Sequence, residues 1–116
     1  NSQGGIATAA LKMPDISKKL KARVIEGWNC NPDSWPEYAE MNATKSEMVL
    51  SLVGEADPWF DYSNYKLGCG PLLNKGNGSK GIVYSDGFLR YEHSPLEYKQ
   101  PKKDLLDFLK KVLTKQ

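Results

Sequence analysis

The sequence holds two cysteines, Cys30 and Cys69, and one histidine, His93. These residue types are the ones best suited to nucleophilic chemistry. A cysteine beside a histidine base can act as a nucleophile. Gly68 and Gly70 flank Cys69 and would let its backbone approach a substrate closely. Cys69 and His93 are therefore one candidate catalytic pair. The two cysteines can instead form a disulfide, which would consume that thiol.

Both cysteines lie among turn-forming residues, in Asn29–Pro32 and Gly68–Pro71, where an exposed thiol would be a liability. A Cys30–Cys69 bridge would close a loop of roughly 40 residues and contribute about 3–4 kcal/mol of stability in the chain-entropy treatment. We therefore predict this disulfide, and with it an oxidising compartment. The chain begins with Asn1, which we interpret as an N-terminus left by signal-peptide removal, so we expect a periplasmic or secreted protein.

Acidic residues around Trp59, namely Glu55, Asp57 and Asp61, are the remaining candidates for acid–base chemistry. Clustered acids between two elements are more often solvated turn residues, so we predict no catalytic residue among them. A zinc site needs more His and Cys than this chain holds, and we predict no metal site. We expect no cofactor, because Gly76–Gly81 lacks the flanking elements and the Lys-Ser/Thr pair of a phosphate loop.

Composition narrows the class of protein further. The 116 residues, of 13.0 kDa, suffice for one compact domain. The 16 basic and 14 acidic residues give a net charge of +2, a balance that does not indicate a nucleic-acid partner. No apolar run approaches the ~20 residues that a membrane span requires. Asn42 and Asn77 each open a glycosylation triplet, which matters only in a eukaryotic secreted protein.

The aromatic side chains are the best candidates for a binding surface. A domain this small cannot bury all of them beside an aliphatic core, and exposed Trp and Tyr are typical of protein contacts. The alternative is that they cover the core. We predict a partner-binding surface that consists of Trp35, Trp59, Phe60, Tyr62 and Tyr65, together with the neighbouring glycine-rich loop Gly68–Gly81.

Local patterns predict the elements that would position this surface. Residues 1–13 are expected to form a flexible leader, and residues 14–116 a single domain. An amphipathic helix is predicted from Asp15 to Gly27. Thr44 and Glu47 fit a capping box for a second, short helix that ends at Gly54.

The second half of the chain is predicted to supply the sheet. Alternation indicates a strand over Trp59–Leu67, and Asp86-Gly87 is a type I′ turn dipeptide within a hairpin spanning Ile82–Glu92. A final helix is predicted from Lys102 to Thr114. The expected fold is α+β, with two short N-terminal helices packed on a small antiparallel sheet and a C-terminal helix.

The stretch from Thr44 to Glu55, followed by Pro58, aromatic residues and the Asp86-Gly87 turn, resembles a known family. Over roughly residues 41–92 it is similar to the small outer-membrane assembly lipoproteins of the SmpA/OmlA family and to β-lactamase inhibitory proteins. The resemblance implies two helices against an antiparallel three-stranded sheet. It also implies a non-catalytic binding or scaffolding role outside the cytoplasm.

The leading hypothesis is therefore a non-catalytic, extracytoplasmic protein-binding module of inhibitor, immunity or scaffold type. One alternative is a small cysteine-dependent enzyme that uses Cys69 and His93. The other is a membrane-surface accessory protein that uses helix 102–114, whose lysines surround an apolar face. For that helix we favour a core role, with lysines at its solvent edges.

Overall fold

Three parallel strands form the centre of the protein. The structure, a computed structural model, describes residues 2–11, 21–28, 30, 41–59 and 68–114. Strands β1 (Ala22–Glu26), β2 (Met48–Gly54) and β3 (Lys80–Tyr84) pair in the order β1-β2-β3, and both pairings are parallel. Helix α1 spans Ser2–Ala10 and helix α2 spans Lys99–Thr114. Short 3₁₀ helices lie at Gly70–Leu72, Lys75–Asn77, Gly87–Tyr91 and Pro95–Glu97.

The central strand β2 is buried along its whole length. A parallel strand covered on both faces is expected to be a nearly continuous apolar run, and Met48-Val-Leu-Ser-Leu-Val-Gly54 has that composition. The predicted helix from Thr44 to Gly54 is therefore wrong. Periodicity alone does not separate a short buried strand from a helix face.

The absence of a side chain at Gly54 lets the backbone near Leu89 pack closely against the end of β2, since a Cβ there would lie 2.7 Å from the Leu89 carbonyl oxygen.

The two faces of β2 build two separate apolar clusters, because successive strand residues point to opposite sides. One face carries Val49 and packs towards α1, whereas the other carries Leu50 and packs towards α2. The buried members of the first cluster are Ala9, Ile25, Trp28, Cys30, Val49 and Cys69. Those of the second are Met48, Leu50, Leu52, Tyr84, Phe108 and Val112.

The predicted disulfide is confirmed. Cys30 and Cys69 are bridged, with an S–S distance of 2.08 Å, and both residues are buried in the first cluster. The bond joins the chain just after β1 to the segment just before the Gly70–Leu72 helix. A bridge of this kind is consistent with an oxidising setting.

The sheet direction is the main correction to the predicted fold. The class remains α+β, but the sheet is parallel, not antiparallel. No hairpin forms at Asp86-Gly87, because residues 80–84 pair with β2 while Gly87–Tyr91 coils into a 3₁₀ helix. Pairing with β2 lets Ile82 and Tyr84 pack in the second cluster. The antiparallel sheet that the family resemblance implies is likewise not the sheet observed.

The structure confirms one of the other predicted elements and contradicts others. The last helix is confirmed and begins at Lys99, slightly earlier than predicted. The predicted first helix is wrong over Ala22–Glu26, which form β1. Ser2–Ala10 are helical within the segment predicted as a flexible leader, and Ala9 is buried. Most of the strand predicted over 59–67 lies outside the described residues.

A buried ion pair connects β1 to the segment that precedes β2. Arg23 is 4% exposed, and its Nε and Nη2 donate to the two carboxylate oxygens of Glu47 at 2.8 and 3.1 Å. Its Nη1 donates to the carbonyls of Thr8 and Leu11 at 3.0 and 2.8 Å. A cation at the C-terminal end of a helix is also favoured by the helix dipole. One side chain thus joins α1, β1 and β2.

Asn42 completes this cap on α1. Its backbone N–H donates to the Ala9 carbonyl at 2.8 Å, and its side-chain Nδ2 donates to the Ala10 carbonyl at 2.9 Å. The last carbonyls of a helix have no partner inside the helix. Here Arg23 and Asn42 supply donors for them.

Glu47 is held ionised by its hydrogen bonds. Burial by itself would raise the pKa of this carboxyl, but the bonds from Arg23 and from Thr44 outweigh burial and lower the pKa below its ordinary value of 4.5. The Thr44 N–H donates to Glu47 Oε2, as the predicted capping box required, although a strand follows and not a helix.

Replacing the buried arginine should unfold the protein far more easily than replacing an exposed one. Arg23→Met leaves the Glu47 charge buried and unpaired, so we expect a loss of about 3–5 kcal/mol in the free energy of unfolding. Arg90→Met is the matched control, because the Arg90–Glu55 pair is partly solvent-exposed and should cost at most about 1 kcal/mol. Urea denaturation measures both, and equal losses would contradict the assigned role of Arg23.

Acid should weaken the protein through Glu47. Because the folded-state pKa of Glu47 is lowered, its contribution to stability is present above pH 4.5 and is lost as the pH falls from 4.5 through the folded value. Urea midpoints recorded across that range should therefore fall with pH in the native protein and change less in Glu47→Gln. The same slope in both proteins would show that other groups control acid unfolding.

Candidate binding site at the carboxyl edge of the sheet

Polar side chains converge where the three strands end. Glu26 ends β1, Glu55 directly follows β2 and Ser85 directly follows β3. Because both pairings are parallel, the carboxyl ends of the three strands meet at one edge of the sheet. The Ser85 hydroxyl donates to Glu55 Oε2 at 3.1 Å, and the Leu96 N–H donates to Glu26 Oε2 at 2.6 Å. These bonds attach the chain after β3 to this edge.

A connected group at this edge consists of Asp57, Trp59 and His93, which we call the Trp59 platform. Asp57 is 3% exposed, and its Oδ2 lies 2.6 Å from His93 Nδ1. Its Oδ1 accepts the backbone N–H of Trp59 at 2.9 Å. The rings of Trp59 and His93 stack, with centroids 4.8 Å apart and planes 23° apart. A buried carboxylate thus holds the His93 ring and the backbone of Trp59.

Trp59 nevertheless remains largely accessible, with 67% of its surface exposed. An exposed tryptophan is usually free to change rotamer, whereas this ring is held on one side by His93. The platform therefore presents the Trp59 ring to solvent while His93 supports it on one side. Surfaces of this type are typical of protein-binding hot spots.

Further exposed aromatic side chains lie on the 3₁₀ helix Gly87–Tyr91. Phe88 and Tyr91 are both exposed. Phe88 contacts the ring of Tyr98 edge-on at 4.8 Å, and the Arg90 guanidinium lies 5.8 Å from the Tyr91 ring centroid. Neither Phe88 nor Tyr91 belongs to the predicted surface, because the Asp86-Gly87 dipeptide places both in a predicted hairpin strand.

Tyr98 is held in turn by Glu92. Its hydroxyl donates to Glu92 Oε1 at 3.0 Å, and this bond raises the pKa of the Tyr98 phenol, because ionisation would lose the bond and place two negative charges together. The phenol therefore stays protonated and donating at neutral pH. Glu92 thus holds the hydroxyl of the same Tyr98 ring that Phe88 contacts.

The predicted surface residues are only partly accounted for. Trp59 is exposed at the carboxyl edge, as predicted, whereas Trp35, Phe60, Tyr62 and Tyr65 lie outside the described residues. Cys69 is bridged to Cys30 and buried with Trp28 and Ile25, so it offers no thiol to His93.

Among the described residues no group of three or more His, Cys, Asp or Glu is placed to hold a metal ion. No helix in the described part of the chain is long and apolar enough to cross a membrane. Asn77 of the second glycosylation triplet uses its amide to bond the Lys45 and Glu47 carbonyls, both at 2.9 Å. The amide of Asn42 is engaged similarly at the end of α1.

Comparisons with protein-family models, with curated proteins and with solved structures give no match for this chain. Because a fold alone does not define a function, the residues of the site must indicate it.

The histidine should matter for stability as well as for the platform. His93→Ala leaves the buried Asp57 carboxylate without its closest partner, and we expect a loss of about 1–3 kcal/mol in the free energy of unfolding. Ser85→Ala removes a hydrogen bond at the same edge but from an exposed hydroxyl, so its cost should stay within about 0.5 kcal/mol. Urea denaturation of both variants checks the difference, and equal costs would mean that Asp57 does not depend on His93.

Proposed function

We propose that this protein is a non-catalytic, extracytoplasmic protein-binding module of inhibitor, immunity or scaffold type, and that Trp59 is the centre of its contact surface. The observation that carries the proposal is the Trp59 platform, in which a ring that is mostly exposed is stacked on a histidine fixed by a buried carboxylate. Burying such a ring against a partner would remove a large apolar area from water.

The order of the ring matters as much as its area. Binding normally costs about 0.5–1.5 kcal/mol for each flexible side chain that is immobilised. Stacking on His93 restricts Trp59 before any partner arrives, so much of that cost falls on folding and not on association. This preorganisation supports Trp59 as an anchor residue.

The other residues of the proposed surface are aromatic. Three of them come soon after Trp59 in the sequence, namely Phe60, Tyr62 and Tyr65, and the fourth is Trp35. The oxidised Cys30–Cys69 pair supports a periplasmic or secreted location, where disulfides persist. It also argues against the cysteine-enzyme alternative, since a bridged sulfur is not a nucleophile.

Loss of Trp59 should abolish partner binding and leave the fold intact. With the native protein immobilised to recover partners from an extracytoplasmic fraction, Trp59→Ala should weaken the Kd of a recovered partner by about thirtyfold or more, as expected for a hot-spot tryptophan. The thermal midpoint should change by no more than about 2 °C, because the ring is mostly exposed. Calorimetric titration and a thermal melt measure the two quantities.

Leu113→Ala is the matched control for that experiment. Leu113 is also apolar and is 68% exposed, close to the value for Trp59, but it lies on helix α2 and not on the predicted surface. It should bind as the native protein does. Equal binding by Trp59→Ala, or a collapse of its thermal midpoint, would reject Trp59 as the anchor.

A further inference from the structure

Helix α2 has one buried face and one exposed apolar face. Phe108 and Val112 are buried against the sheet. Leu106, Leu109 and Leu113 are 57%, 38% and 68% exposed. Because these leucines are three and four residues apart, they form a single stripe along the helix. Packing against β2 therefore does not account for the outer leucines.

Lysines share the outer half of α2 with this stripe. At about 100° per residue, four exposed lysines project within a quarter turn of the leucine stripe, namely Lys99, Lys102, Lys103 and Lys110. The two acidic residues of the helix lie on the other half. Asp104 accepts a hydrogen bond from the Tyr84 hydroxyl at 2.7 Å, and Asp107 lies 3.6 Å from the Lys103 ammonium.

The excess of positive charge on this half of α2 indicates that an anionic surface would complement it. We propose that α2 docks flat on an anionic lipid surface, with Leu106, Leu109 and Leu113 in the interfacial region and the four lysines at the head groups. A leucine stripe with lysines at its N-terminal end and along one side is a pattern found in helices that lie in the membrane plane. Lysine stems can extend alongside the leucines while their ammonium groups reach the phosphates.

A protein partner suits this face less well. Lysine is depleted in protein–protein interfaces, and leucine is under-represented among their hot spots. The outer half of α2 consists mainly of these two residue types and carries no aromatic side chain, unlike the Trp59 platform. The proposal for α2 does not depend on the Trp59 platform and can fail or succeed without it.

The experiment is partitioning of the intact, oxidised protein onto vesicles. The native protein should bind phosphatidylglycerol-rich vesicles, bind pure phosphatidylcholine vesicles far more weakly, and be released by added salt. The triple variant Leu106→Gln/Leu109→Gln/Leu113→Gln should lose at least about tenfold in partition coefficient. Leu72→Gln, which alters an exposed leucine elsewhere, should bind as the native protein does.

Two adjacent lysines provide a second matched pair. Lys110 lies beside the leucine stripe and Lys111 lies on the opposite half of the helix, although both are exposed. Lys110→Gln should lower the partition coefficient about fivefold, the effect of one lysine near an anionic surface. Lys111→Gln should change it much less. All these positions are exposed, so circular dichroism and the thermal midpoint should stay close to native.

Several results would overturn the proposal. Absence of vesicle binding, or equal binding to anionic and zwitterionic vesicles, would reject it. Equal effects of Lys110→Gln and Lys111→Gln, or of the leucine variant and its Leu72→Gln control, would reject α2 as the docking face. A concentration-dependent dimer that the leucine variant abolishes would instead assign the stripe to a second copy of the chain.

Discussion

The buried Arg23–Glu47 pair is the interaction on which the rest of the structure depends. Arg23 belongs to β1 and Glu47 immediately precedes β2, so their bidentate contact fixes where these strands begin relative to each other. The same guanidinium also satisfies the end of α1, which covers one face of the sheet. Since an isolated buried charge is very unfavourable, each partner is stable inside only when the other is present. This requirement favours one register of β1 against β2.

Parts of the fold could be predicted from the sequence because their signals are local. The lysine-edged apolar face of α2 and the turn context of both cysteines led to correct predictions. β2 could not be predicted in this way, because its apolar run fits both a buried strand and a helix face. The Glu47 position favoured the helix, since its carboxylate does bond the Thr44 N–H. Arg23 directly precedes the large apolar residues of β1, and Glu47 directly precedes those of β2. These two positions were the available signal that the side chains meet.

The site was less predictable because its parts come together only through the sheet. Asp57 and His93 are 36 residues apart, and no spacing rule connects them. Had the strands been recognised as parallel, the convergence of Glu26, Glu55 and Ser85 at one edge would have followed from topology. The exposure of Trp59 was predicted from the aromatic surplus, but its support by His93 required the fold. Composition thus predicted that Trp59 is exposed, and the fold brings His93 against its ring.

An all-parallel sheet also constrains how this chain can reach its folded state. Parallel neighbours cannot start from a tight turn, so β2 must wait for two long connections, residues 27–47 and 55–79, to close around it. Contacts so distant in sequence slow folding, and an uncovered apolar strand is prone to pair with other chains. Cys30 lies in the first connection and Cys69 in the second, so their bond holds the two connections together on the sheet. Oxidation early in folding would shorten the time for which β2 stays uncovered, which makes the disulfide a safeguard against aggregation as well as a stabilising bond.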